Sequence, residues 1–349
     1  MIFIMLLIFI ILLYYVLNKT RLKRINPNNL TFCIAIFIIF SVLQGFRAYS
    51  VGSDTLNYVK IYNCVKVESI KDIITKSQVN LEIGFQLLLK AFSLVHISDR
   101  GFLIIISILI NFGFTYFIYK NSKSPLLSII IFMGTEYFNL SFTALRQMLA
   151  VSIIVNTYPF LIKKEKIRPL CMILLAATIH RTAILFTLSI LLQNVKMRKK
   201  TYIVGVIAFI LLHIVGIPVL NQIIKLTPYR VYLKSNIVGS GINQLIVIMI
   251  YTAFGVYFKY KNNANDDYNL LIFFMIIAIF IQSITYRIYL IGRLIWYFYI
   301  FNTIFLPNII MDIKDKKVRN ISYLVIAALN IIQYIFFSMD MYNVVPYKF

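Results

Sequence analysis

The chain has 349 residues, of which 60% are hydrophobic and 13% charged, with a formal net charge of +23 and a mean hydropathy of +0.84. Several apolar runs approach the roughly 20 residues a helix needs to cross a bilayer, so the composition excludes a soluble globular enzyme and predicts an all-α, multi-spanning membrane protein. The excess Lys and Arg lie in short links between those runs, where they orient the chain across the membrane rather than mark a nucleic-acid partner.

Cys33, Cys64 and Cys171 are an odd number, and two lie in apolar runs, which points away from a disulfide framework. The histidines, His96, His180 and His213, have no metal-ligand spacing, and neither a metal nor a cofactor is expected. The opening apolar run, residues 1–17, lacks a basic start and a small-residue cleavage site and reads as a retained span. Residues 1–349 read as one polytopic domain of about 10–12 transmembrane helices, with larger external loops near 47–100 and 221–243.

The first link carries Lys19, Arg21, Lys23 and Arg24 and reads as cytoplasmic, which puts the amino terminus outside. The run 30–46 returns to the outer side. There RAYSVGSDTLNY, residues 47–58, breaks the apolar pattern with Arg47, Asp54 and several hydroxyls. Gly52 tolerates unusual backbone angles and Asp54 or Thr55 can bond neighbouring amides, so this stretch reads as a capped turn entering a helix near Leu56. Residues 82–97 are apolar but short for a span and carry Lys90, which fits an interfacial or partly inserted helix.

Residues 101–119 cross inward, 125–139 outward, and 142–162 inward to the basic KKEKIR link, leaving Arg146 near an outer helix end. Residues 169–193 have basic links on both flanks and His180-Arg181 in the middle. Two short helices meeting at that pair would keep both flanks inside, and a broken pair is tolerated where it lines a cavity. The alternative is one long helix with a buried polar pair. Crossings at 202–220, 244–258, 268–285, 294–311 and 321–337 follow, with Arg230 in the second external loop and Arg287 and Arg293 at an outer turn. More than half of the 35 Lys and Arg fall in the inner links.

Arg47, Asp54, Glu82, Arg146, His180, Arg181, Arg230, Arg287 and Arg293 thus fall on the outer side or in a broken helix reaching into the membrane. Ionisable groups at membrane depth are costly unless they face a polar cavity, so converging arginines argue for an anionic ligand. The planar guanidinium fork pairs with phosphate oxygens, which makes a lipid pyrophosphate a natural candidate. Snorkelling toward headgroups explains single arginines, but accounts poorly for Arg146 and Arg181 inside apolar segments. Asp54 and His180 are the candidates to accept a proton from an attacking hydroxyl.

Five segments, in order, resemble the EpsG-like branch of the Wzy-type bacterial polysaccharide polymerases. They are Arg47 with VGSDTLNY (51–58), LEIGFQLLLK (81–90), ALRQMLA (144–150), AATIHRTAIL (176–185), and Arg293 with WYFYIFNTIFLP (296–307). Ser53 and Thr182 depart from the family pattern by hydroxyl exchanges that keep the functional group. The resemblance implies the GT-C-like architecture of membrane glycosyltransferases that use lipid-linked donors. It also implies an enzyme facing outward in the bacterial cytoplasmic (inner) membrane, which transfers a growing O-antigen, capsule or exopolysaccharide chain from undecaprenyl pyrophosphate to a lipid-linked repeat unit.

On that resemblance Asp54 and His180 are expected to be catalytic, and Arg47, Glu82, Arg146, Gln147, Arg181, Arg230, Arg287 and Arg293 to bind pyrophosphate or glycan. The expected partners are undecaprenyl-pyrophosphate-linked oligosaccharides, membrane lipids, and a chain-length regulator and flippase of the same pathway. An O-antigen ligase would use the same donor with a different acceptor. A lipid-linked oligosaccharide flippase should instead show paired repeats and a site open to both faces, whereas the polar residues here favour one.

Overall fold

A computed structural model describes residues 2–19, 27–196, 199–226, 240–262, 267–285 and 289–349. Arg230 and Arg287, and most of the expected loop at 221–243, lie outside the described residues. Among the described residues every regular element is helical.

The first apolar runs form α1 (Ile2–Lys19) and α2 (Pro27–Gly45). The expected external segment then folds into three short helices, α3 (Thr55–Val67), α4 (Ile70–Thr75) and α5 (Ile83–Leu94). Ser69 and Asp72 start α4 with a reciprocal capping box. The 12 residues of α5 reach only about 18 Å, too short to span, and Lys90 on it donates to the Lys66 carbonyl.

Next, α6 (Asp99–Asn121) is a full span capped by Ser98, with Asp99 in its first turn and Lys120 in its last, as the helix dipole favours. It packs on α2, where Asn111 donates to the Gln44 side-chain oxygen at 2.7 Å and pairs two buried amides in the core.

Residues expected to cross once, near 125–139, instead make two helices, α7 (Pro125–Gly134) and α8 (Tyr137–Thr143), bent by 59°. Two features mark the bend. Gly134 lies against the backbone of a later helix, where a Cβ would meet the Asn330 carbonyl oxygen at 2.6 Å, and Glu136 takes a left-handed φ of 72°. After Ala144 the chain turns into α9 (Leu145–Val155) and α10 (Tyr158–Ile162), together one span.

The segment 169–193 is broken at its polar pair. α11 (Ile167–Ile179) ends at His180, whose extended backbone (φ −148°, ψ 108°) interrupts the helix, and a 3-10 turn, Arg181–Thr187, leads into α12 (Leu188–Leu192). Leu161 and Lys164 before this pair, and Gln193 and Lys196 after it, line one cleft with Asp267. Both flanks of the broken pair therefore open at the same end of the molecule.

Further along come α13 (Lys199–Leu211), a π-helical turn at Leu212–Gly216, and α14 (Ile217–Lys225). They form an apolar span that is almost wholly uncovered by the rest of the chain, as a lipid-facing helix would be. The remaining spans are α15 (Ser240–Lys261), α16 (Tyr268–Thr285), the 3-10 turn Tyr289–Leu294 with α17 (Trp296–Tyr299) and α18 (Asn302–Met311), and α19 (Lys316–Gln333) with a π-helical turn at Tyr334–Ser338.

Among the described residues seven segments are long and apolar enough to cross a membrane, and the bent α7–α8 pair adds an eighth. α1 and α2 are shorter apolar helices, and the chain is a multi-pass, all-α membrane protein.

The two ends of the bundle are chemically distinct. At one, Lys123 pairs with Asp312, which also accepts from the Tyr268 hydroxyl at 2.7 Å. At the other, the turn at residues 47–55 meets the α8–α9 junction and the residues after 339. Among the described residues, Lys123, Lys164 and Lys196 of the basic links share the first end with Asp267 and Asp312.

Candidate active site

Glu82 precedes α5, and its carboxylate is the hub of the site. It accepts from Arg146 Nη1 at the start of α9, and from the backbone N–H (3.2 Å) and Nε (3.4 Å) of Arg181. His180 Nδ1 stands 3.5 Å from the same oxygen that Arg181 uses. The convergence depends on Gly84. A Cβ there would lie 2.5 Å from Thr178 Cβ and 2.7 Å from the Thr178 carbonyl oxygen, so only glycine lets α5 close on α11 and bring Glu82 to the helix break.

Burial opposes charge on Glu82, yet contacts from His180, the Arg181 backbone N–H and Arg146 prevail and hold its carboxyl well below the usual carboxylate range. One carboxylate thus faces two guanidiniums and an imidazole, and positive charge is left over. The Arg181 side chain is 68% exposed, while the Glu82 side chain is only 8% exposed. The exposed Arg181 guanidinium beside this cluster suits an incoming anion.

Two further links bring Arg293 to this cluster. Gln147 is buried and donates Nε2 to the Arg293 carbonyl at 2.7 Å, so its amide positions Arg293. One helical turn later, the Tyr297 hydroxyl lies 3.1 Å from Thr182 Oγ1, beside Arg181. The Arg293 side chain is exposed, and its guanidinium has no hydrogen bond or ion pair to the described residues.

Asp54 lies one helical turn before Tyr58, which contacts Arg146. Gly52 makes the expected turn with φ 88°, where a Cβ would come within 2.7 Å of the Phe142 carbonyl oxygen, and α3 starts at Thr55. The expected cap is absent, because the Asp54 carboxylate makes no hydrogen bond to the helix start and is exposed. Its backbone N–H donates to Thr143 Oγ1 at 3.1 Å, and Ser53 Oγ lies 2.6 Å from that hydroxyl. Tyr58, one turn after Asp54, is buried. Burial pushes its hydroxyl pKa up, and the adjacent Arg146 guanidinium offsets part of the shift.

Arg47 departs from the ligand-binding role expected of it. It is wholly buried, donating to the Gln44 carbonyl, the Val51 carbonyl (3.3 Å), Thr55 Oγ1 (3.2 Å) and the Phe142 carbonyl (2.8 Å). Those bonds occupy its planar fork and clamp the Asp54 turn onto the end of α8, at Phe142, three residues before the start of α9. Tyr58, Thr143 and Tyr297 are not among the site residues expected from sequence, and Thr182 enters there only as a hydroxyl exchange in the family pattern. A helical-turn spacing from Asp54 to Tyr58 and from Arg293 to Tyr297 is the one signal that pointed to two of them.

The architecture is thus a cationic cluster built on a broken helix pair, with an exposed carboxylate, Asp54, on the turn that leads to Tyr58 beside Arg146. No curated protein and no solved structure matches the chain. The model of the EpsG family, Wzy-like membrane proteins of the polysaccharide polymerase type, matches residues 29–349 and so takes in every element of the site. The chain belongs to the EpsG family.

Proposed function

We propose that the protein is a glycosyltransferase that joins undecaprenyl-pyrophosphate-linked repeat units at the outer face of the cytoplasmic membrane. The observation that carries this reading is the convergence of Arg146, His180 and Arg181 on Glu82, with Arg293 held nearby by Gln147. Surplus positive charge in a partly dry site stabilises the charge that develops on a departing pyrophosphate.

In this reading Arg146, Arg181 and Arg293 bind the donor pyrophosphate, and the acceptor sugar lies toward Asp54. Glu82 favours the His180 tautomer with its proton on Nδ1, which leaves Nε2 to accept a proton. The acceptor hydroxyl oxygen attacks the donor anomeric carbon, the bond from that carbon to the phosphate oxygen breaks, and the electron pair leaves with the pyrophosphate. The hydroxyl proton passes to His180 Nε2, and Asp54 orients the acceptor. The location of the site at a single end of the bundle favours transfer over transport.

The test is to replace Arg146, Arg181 and Arg293 singly with Lys in a strain that makes the surface glycan, and to size the product at matched expression. Each change keeps the charge but removes the fork. Short, single-repeat material is expected. Wild-type length distributions in all three variants would rule out pyrophosphate binding by these residues.

A further inference from the structure

Residues 339–349 belong to none of the motifs, yet they are tied to the site. Three amides of the Asp54 turn donate to them, Ala48 N–H to Lys348 O (2.8 Å), Gly52 N–H to Asn343 O (2.9 Å) and Ser53 N–H to Tyr342 O (2.9 Å). The same Tyr342 donates its hydroxyl to Glu136 Oε2 at 3.0 Å, in the bend between α7 and α8. Tyr347 donates to the Leu43 carbonyl at 2.8 Å and packs edge-on against Phe3 and Phe142. Val344 is fully buried.

Tyr342 and Asn343 both hold left-handed φ values, 64° and 55°. Neighbouring side chains rarely accept that conformation in succession unless the surroundings over-determine it. Here it aims two consecutive carbonyls at two consecutive amides of the turn. Asp54 follows directly, and its own N–H is held by Thr143 from the other side. The exposed carboxylate is therefore carried on backbone fixed between the α8–α9 junction and this segment.

We propose that residues 339–349 form a strap that completes the acceptor side of the site, with Tyr342 a positioning residue that couples the Glu136 bend to the turn carrying Asp54. Tyr342 acts through Asp54 and touches no substrate itself. The acceptor assignment rests on the polymerase reading above; the attachment of the strap to the turn does not.

The experiment uses the full-length protein in lipid nanodiscs with two variants. Tyr342→Phe removes only the hydroxyl, and Asn343→Pro cannot adopt the observed φ. Three quantities are read, namely amide hydrogen exchange at Gly52 and Ser53, glycan length in cells, and inorganic pyrophosphate affinity from the fluorescence of Trp296, the single tryptophan. Exchange at Gly52 and Ser53 should rise about tenfold or more in Asn343→Pro and less in Tyr342→Phe. Glycan should shorten in the same order, with pyrophosphate affinity held within about twofold.

Unchanged exchange in both variants would overturn the strap. Faster exchange with wild-type glycan would overturn its positioning role, and pyrophosphate affinity falling in step with glycan length would overturn its assignment to the acceptor side. If Asp54→Asn and the Arg→Lys variants also left the glycan untouched, the polymerase reading would fall and take the acceptor role with it. The exchange data would still decide the strap.

Discussion

Gln147 donates its side-chain N–H to the backbone carbonyl of Arg293 across 2.7 Å, and both residues adjoin the Glu82 cluster, Gln147 as the neighbour of Arg146 and Arg293 as the residue one turn before Tyr297. A side chain from α9 thereby sets the position of a guanidinium carried on a 3-10 turn 146 residues later. Two cations from distant spans are held in register by one neutral hydrogen bond.

Gln147→Leu keeps the approximate volume and removes that donor, leaving the Arg293 carbonyl to find another partner. A net hydrogen bond contributes about 1 kcal/mol, so pyrophosphate should bind roughly 3- to 10-fold more weakly while the protein remains folded. Titration followed by Trp296 fluorescence reads this directly. Unchanged affinity would mean that Arg293 is positioned without Gln147.

Glu82→Gln keeps the shape of the hub but removes the charge that draws Arg146 and Arg181 together. Because Arg181 is largely exposed and Arg146 partly so, losing these charge-assisted hydrogen bonds should cost about 1–3 kcal/mol of stability, and glycan synthesis should fall at matched expression. The pH dependence has a definite sign. A carboxyl depressed on folding stabilises the fold above its unfolded pKa, and that contribution is lost only as pH falls through the lower folded value. The stability gap between wild type and Glu82→Gln should therefore persist at pH 5 and begin to close below the unfolded carboxylate pKa of about 4.3. A gap that closed between pH 8 and 6 would contradict the charged hub.

Gly84→Ala places a methyl group into the α5–α11 contact. Overpacking of this kind costs about 1–3 kcal/mol, and here it should also spread Glu82 away from Arg181. Adding Thr178→Ala should recover only part of the loss, because the Thr178 carbonyl oxygen stays 2.7 Å from the new Cβ position. Thermal unfolding in detergent, compared across the two single variants and the double, measures both effects.

Asp54→Asn separates chemistry from folding. The Asp54 carboxylate caps nothing and is exposed, so the substitution should change stability by less than about 0.5 kcal/mol. Loss of polymer with pyrophosphate affinity retained is the expected result. Polymer made at the wild-type rate would confine Asp54 to the turn.

The membrane spans were legible because hydropathy over about 20 residues is a local property that the bilayer reads directly. α16 occupies the same residues, 268–285, as its apolar run. The break at His180-Arg181 was legible for a related reason, since an ionisable pair amid apolar residues with basic links on both flanks leaves few alternatives. Gly52 announced its turn through the backbone freedom that glycine alone supplies.

Partner choice was a different matter. The sequence placed Glu82, Arg146 and Arg181 on one side, but only packing made Glu82 their hub, across separations of 64 and 99 residues. Arg47 looked like its fellow arginines until its surroundings turned out to be four acceptors, which filled its fork and buried it. The α7–α8 bend falls beside Gly134, which packs against Asn330, and the role of residues 339–349 exists only through the turn they hold. Composition and period determine where a helix forms and which end carries charge, because those signals lie within a few turns of chain. Which donor meets which acceptor depends on helices brought together from across the chain, and that was decided by tertiary structure alone.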